Sequence, residues 1–502
     1  YQISLSADIN PWSGTQQLGK SNDDGGFGVA TDSSGNIYVT GKTLWYSQDG
    51  LDGNTHYGKY DGFLVKYNSA GIKQWTKQFG TSENDIGHGV TVDSAGNIYV
   101  VGETNKGLDG NTHIGSRDAI LIKYNSAGTK QWTKQFGTSS NDDGFGVTVD
   151  SAGNIYVTGA TYATLDGNTK IGGWDVYLIK YNSAGTKQWA KQFGSATNDF
   201  GYGLKADSTG NIYVTGTASR GMYGNTHYGS YDIFLAKYNS AGTKQWTKQF
   251  GTTTIDRGRG VTVDSAGNIY VTGETQGTLD GNTSAGNYDI VLAKYNSAGT
   301  KQWTKQLGTS TGDYGKGISI DSSDNIYMTG YTGSGLDGNT SKGATDIFLA
   351  KYNSAGTKQW TKQFGTSSYD TGSAVTVDSA GGIYLTGNTM KGMDGATSYG
   401  NYDIFIAKYN SSGINSADEE PEESKVTLHN LDDDTDVTVN LTSSDTSEGT
   451  VSPATLTFTS SNYQNAQTVT VTGVDDNATD GHQAYGISLT SSGQDNATLS
   501  IS

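Results

Sequence analysis

A phrase written seven times, a fixed period and four alternating segments per period predict an all-β protein. The expected fold is a seven-bladed β-propeller of four-stranded blades, its ring closed by a strand from the N-terminus, followed by a small β-sandwich. The phrase is GNIYVTG, at 35–41, 153–159, 210–216 and 267–273, with small changes at 96, 324 and 381. The aspartate ahead of it stands at Asp32, Asp93, Asp150, Asp207, Asp264, Asp321 and Asp378, so one interval of 61 is followed by five of 57. Residues inserted at 45–48 account for the longer first interval.

Each copy reads as four strands in order, seen in the second as HGVTVD (88–93), NIYVVGE (97–103), DAILIKYN (118–125) and KQWTKQFG (130–137). Gly-rich punctuation separates them, and 72 Gly against 3 Pro with 32 Tyr favours strands and tight turns over helices. The fourth segment occurs only six times, after Lys73, Lys130, Lys187, Lys244, Lys301 and Lys358. Its missing copy is at the other end of the chain, where PWSGTQQLG (11–19) is expected to pair with the segment at 403–410 and leave no open edge. One blade cannot bury its own faces, whereas seven around an axis can, which accounts for the repetition.

Read through DSAGNIYVTG and DIFLAKYNSAGTKQW, the repeat resembles the bacterial β-propeller repeat family over residues 11–415. The resemblance implies a fold but no activity, because that family has none in common. After residue 415 the period stops, and an acidic run around Pro421 reads as a self-repelling linker, 416–424. Alternating segments from 425 to 502 then predict an antiparallel sandwich. Within it, residues 443–487 resemble Calx-β-like, immunoglobulin-type modules of bacterial surface proteins.

Residues 1–10, YQISLSADIN, belong to no blade and place Tyr1, Ile3, Leu5 and Ala7 on one face of a strand. A spare strand at one end and a sandwich short of a strand at the other suggest strand addition between neighbours, giving a head-to-tail homopolymer. The competing expectation is that the strand docks on its own chain.

Fifty acidic residues against 33 Lys and Arg, net −17, repel nucleic acid and anionic lipid. No run approaches the roughly 18 apolar residues of a membrane span. The start at Tyr1 is as expected of a secreted product, and the absence of cysteine excludes disulfides and thiolate sites. Together these lead to the expectation of a bacterial protein that is secreted or held at the cell surface.

LDGNT and the aspartate after it recur as Asp52, Asn54 and Asp61, as Asp109, Asn111 and Asp118, and as Asp166, Asn168 and Asp175. Oxygen ligands spaced through a Gly-containing loop suit calcium, while Asp-Gly and Asn-Thr are equally ordinary turn formers. No cofactor is required otherwise. A second series, Asp24, Asp85, Asp142, Asp199, Asp256, Asp313 and Asp370, precedes the innermost strand. It is expected either to ring a channel mouth or to accept backbone N–H bonds in turns. The tryptophans at 75, 132, 189, 246, 303 and 360 suit sugar stacking in a surface-glycan adhesin, or packing between blades. No catalytic residues emerge: the six histidines form no ligand cluster, no nucleophile elbow is present, and near-identical blades argue against one asymmetric site.

Overall fold

The repeat becomes a blade because its segments alternate apolar and polar residues and its Gly-rich turns reverse the chain. In the computed structural model the first blade pairs Asp24–Thr31, Ile37–Leu44, Tyr60–Tyr67 and Lys73–Phe79 in that order, all antiparallel. Five further sheets repeat this order. The seventh joins Asp370–Val377, Ile383–Thr389 and Asp403–Tyr409 to Gln16–Leu18, in the register Gln16↔Ile406 and Leu18↔Ile404. Each innermost strand touches the next, and Asp370–Val377 touches Asp24–Thr31, which closes the ring.

The described residues are 2–6, 15–20, 22–44, 50–415, 423–429, 436–444, 446, 449–459, 461–462, 467–473, 485–491 and 497–501. Tyr1, Ala7, the insertion at 45–48, residues 11–14 and the acidic segment 416–422 lie outside them.

The seven-fold phrase divides into a turn and a core strand. Asp32 accepts N–H bonds from Ser34 and Asn36 at 2.9 Å, and the Tyr38 hydroxyl, whose ring is fully buried, donates to it at 2.9 Å. The final glycine is a packing requirement: a Cβ on Gly159 would lie 1.8 Å from the Asp143 carbonyl oxygen on the innermost strand. The apolar core forms between blades. Leu178 and Phe193 of the third blade pack with Ile212, Val214 and Phe234 of the fourth. Each such side chain contributes about 2 kcal/mol by burial, and only a neighbouring blade supplies the other half of the contact.

The chain divides into two units, Gly14–Asn415 and a second formed by Tyr1–Ser13 with Ser416–Ser502. The second holds two four-stranded sheets. One runs Gln2–Ser6, Glu423–His429, Gln467–Gly473, Gly449–Ser452, and the other Thr455–Phe458, Val437–Ser443, Tyr485–Ser491, Ala497–Ile501. Its first strand after the propeller begins at Glu423, inside the segment expected as linker. Val439, Leu441 and Phe458 are buried in it. Among the described residues no helix is long and apolar enough to cross a membrane.

Candidate functional site

The N-terminal strand Gln2–Ser6 is the edge of its sheet and pairs antiparallel with Glu423–His429, with Ile3 opposite Leu428 and Leu5 opposite Val426. The spare strand and the C-terminal module therefore meet, here within one chain.

The three residues of the LDGNT set are separately engaged. Asp52 sits at the left-handed φ of 51°, accepts from Lys73 Nζ at 2.7 Å and from the Thr76 hydroxyl at 2.5 Å. Asp109 and Asp166 meet Lys130 and Lys187 at 2.7 and 2.6 Å. Asn54, Asn111 and Asn168 donate their amide N–H to the carbonyls of Leu51, Leu108 and Leu165 at 2.8 Å. Asp61, Asp118 and Asp175 are buried and accept from Gln78, Gln135 and Gln192 at 2.6, 2.7 and 2.8 Å. Where Tyr223 replaces the first aspartate, Lys244 Nζ lies 2.9 Å from the ring centroid, so the lysine keeps its place by a cation–π contact. Among the described residues no group of three or more Asp, Glu or His gathers to hold a metal.

The second aspartate series lies in the wall, not at an open mouth. Asp24, Asp85, Asp142, Asp199, Asp256, Asp313 and Asp370 are at most 1% exposed, so no solute reaches them. Each begins an innermost strand and accepts the backbone N–H of the residue four before it, as Lys20 to Asp24 at 2.6 Å and Thr138 to Asp142 at 2.6 Å. The physical reason is the turn between blades, whose N–H groups need an acceptor once buried. Burial pushes Asp24 and Asp199 up to about 7 and Asp85 to about 6, with Asp403, Asp175 and Asp61 respectively adding like-charge repulsion.

The tryptophans pack between blades. Trp75, Trp132 and Trp189 tilt against Tyr38, Tyr99 and Tyr156 at 6.2, 6.2 and 6.0 Å between centroids. The other side of Trp75 meets the next blade, where a Cβ on Gly128 would lie 2.9 Å from the indole.

The feature that sequence reading missed lies at the axis. Every innermost strand carries a β-bulge against its neighbour, as between Gly87/Gly89, Gly144/Gly146 and Gly258/Gly260. A bulge leaves one residue outside the ladder and re-aims its side chain. Here the extra residues are Phe27, His88, Phe145, Tyr202, Arg259, Lys316 and Ser373, among which only Phe recurs. All seven line one cavity of about 500 Å³, together with Tyr331, Thr371 and Gly372. The variable middle residue of each G-x-G (G-S-A in the last blade) was the signal in the sequence.

This lining is asymmetric. Phe27 stacks on His88 at 5.8 Å, His88 meets Phe145 edge-on at 5.4 Å, and Phe145 meets Tyr202 at 5.1 Å. Arg259 continues the series with its guanidinium 4.7 Å from the Tyr202 centroid. Behind it the fully buried Glu274 accepts from Arg259 at 2.7 Å, while Arg257 and Lys316 approach only to 3.9 and 4.0 Å. Burial, reinforced by the two arginines, lowers Lys316 to about 8 against the attraction of Glu274. Behind His88, which meets Glu103 at 3.2 Å, Arg117 joins Glu103 at 3.2 Å and Asp143 at 2.6 Å. Burial and Glu103 push Asp143 up to about 7. Near-identity of the blades thus holds for their packing faces and fails at the axis, correcting the expectation that such blades argue against an asymmetric site.

The beta-propeller repeat family, SBBP, matches the chain at residues 14–44, 74–109, 131–165, 188–219, 245–279, 302–337 and 359–390. Regulatory protein FlaEY of Caulobacter vibrioides is 25% identical over 410 residues, covering 70% of this chain and 43% of that protein. An uncharacterized WD repeat-containing protein of Acanthamoeba polyphaga mimivirus is 26% identical over 320 residues, 47% of this chain and 23% of that protein. The chain spans less than half the length of these curated relatives. A solved protein of unknown function from Bacteroides caccae matches 59% of this chain and 94% of its own, at 10% identity and a TM-score of 0.32. With seven repeats that match the SBBP beta-propeller repeat and seven four-stranded sheets in a closed ring, the chain is a seven-bladed β-propeller.

Proposed function

We propose that this chain is a non-enzymatic structural protein of the bacterial cell exterior, a rigid propeller whose copies join when Gln2–Ser6 of one pairs with Glu423–His429 of another. The observation that carries the reading is the five-residue register between the two ends of the chain, Gln2↔His429 through Ser6↔Lys425. That pairing is intramolecular in a single copy. Exchange of the same strand between copies preserves every bond and changes only the connection, a low-cost route to association. An edge strand is also the element most easily released, because one neighbour alone holds it.

Each ladder bond is worth about 1 kcal/mol net. Burial of an aliphatic side chain is worth about 2 kcal/mol, and the strand carries Ile3 and Leu5. Donor and acceptor lie at opposite ends of the chain, so exchange runs head to tail unless its rotation closes. The test is deletion of residues 1–9, followed by sizing across a concentration series and electron microscopy. Concentration-dependent polymers of the full chain that vanish on deletion support the proposal. Polymers that survive deletion, or a full chain that stays monomeric throughout, overturn it.

A second reading is a calcium-assisted, multivalent glycan-binding adhesin. It is favoured by Tyr57, Ile114, Ile171, Tyr228 and Tyr399, which occupy one repeat position and are 45–50% exposed. Five like patches on one ring suit multivalent contact with repeated sugars. Glycan binding abolished by a calcium chelator and by Tyr57→Ser with Tyr228→Ser supports this reading, and an unreactive glycan array removes it.

A further inference from the structure

We infer that the channel of the propeller binds one small organic anion with a flat aromatic body, its oxyanion held by Arg259 and Lys316 and its ring lying along Phe145 and Tyr202. The inference is independent of strand exchange, since every residue it uses lies in the unit Gly14–Asn415.

The wall repeats with the blades, and the lining of the channel does not. Instead the bulge residues sort into contiguous arcs: four rings in blades one to four, two cations in blades five and six, and Ser373 in blade seven. Ser373 beside Gly372 leaves open the volume that a ring occupies at the same bulge of the first and third blades, and the cavity extends to both residues.

The cationic arc is the sharper indicator. In a chain of net charge −17, Arg257, Arg259 and Lys316 gather around one buried carboxylate, Glu274, a local surplus of two positive charges. Lys316 Nζ stands 4.0 Å from the nearest Glu274 oxygen, beyond hydrogen-bond reach, with its side chain 24% exposed. Its ammonium lies 5.4 and 5.5 Å from the Tyr314 and Tyr331 ring centroids, and Lys316 and Tyr331 both line the cavity. A largely desolvated ammonium next to a guanidinium favours a planar oxyanion, because charge-assisted bonds gain strength where water is thin. The neighbouring Phe145 and Tyr202 rings, 5.1 Å apart and tilted by 46°, offer an aromatic body offset or edge contacts. A cavity of about 500 Å³ accommodates a ligand of one or two rings. Carboxylate and phosphate esters share this chemistry, and the assay separates them.

The test uses the full chain with 2-naphthoate and 2-naphthyl phosphate as probes and 2-naphthylmethylamine as the cationic control, read by calorimetry. Saturable binding of either anion at one site per chain, at least about tenfold tighter than the amine, is expected. The stronger of the two anions identifies the oxyanion. Arg259→Ser with Lys316→Ser should weaken the anion about tenfold or more, and Ser373→Phe should block it by filling the cavity. Ser373→Phe places at the bulge a residue that this chain already carries there in the first and third blades, whereas the double serine variant removes partners of the buried Glu274, so unchanged melting must verify its fold. If one variant fails to fold, the other decides. No saturable binding of either anion up to about 10 mM, equal affinity for the amine, or undiminished binding in the folded variants overturns the inference.

Discussion

The wall of the propeller and the lining of its channel are built from the same seven repeats under opposite constraints. In the wall, Ile, Tyr and an aliphatic residue of the second strand and the apolar residues of the third are buried against a neighbouring blade, and the same residue types recur at one interval of 61 and then at intervals of 57. At the axis, one residue per blade leaves the ladder at a bulge, and there the chain writes Phe, His, Phe, Tyr, Arg, Lys and Ser. A close-packed interface admits few side chains, whereas a bulge residue facing a cavity meets little that its size could disturb. Variation collects where packing permits it, and that is where a ligand can be recognised.

The contrast can be tested by mutation. The largest loss is expected from Phe234→Ala, which empties a fully buried site between the third and fourth blades and should lower unfolding free energy by about 4 kcal/mol in a denaturant titration. A loss below about 1 kcal/mol would mean that the blades pack more loosely than described.

Next comes the pH response of the buried carboxylates in the wall. Aspartate ordinarily titrates at 3.8, and Asp24, Asp85 and Asp199 are raised to about 7, 6 and 7 by burial. The folded state thus holds protons that the unfolded chain has released. Their contribution is full below 3.8 and is lost as pH rises through about 6 to 7. Asp32, Asp207 and Asp321 are shifted the other way, because hydrogen bonds from the turn outweigh desolvation, and their contribution is lost only as pH falls below the ordinary range. Melting temperature should therefore rise from pH 8 to pH 5 and fall again below pH 4, as about one proton per raised group would require. A melting temperature unchanged between pH 8 and pH 5 would show that these carboxylates are hydrated.

The smallest effect is expected at the axis. Phe145→Ser copies the residue of the seventh blade and should cost about 1 kcal/mol or less. A cost near that of Phe234→Ala would show that the lining is part of the core after all.

Much of the ring is legible in the sequence. The count of the KQW segment placed the odd strand at the N-terminal end, and Gln16–Leu18 pairs with Asp403–Tyr409. Turn and cation readings of LDGNT could not be separated from the letters alone, because the group meeting Asp52 is Lys73, 21 residues on and on another strand. The aspartates ahead of the innermost strands were read to the right segment, but their burial depends on the neighbouring blade. The G-x-G bulge was written in plain view, yet its middle residues vary and so fell outside a search for repetition.

Periodicity alone determined that this chain is a closed ring of seven blades with a separate C-terminal part, because one blade's apolar faces can be covered only by another copy of itself. Tertiary structure decided which variable residues share a cavity and which end of the chain the first strand joins. Those are meetings between residues up to several hundred positions apart, produced by closure of the ring and by strand pairing, and no local pattern encodes them.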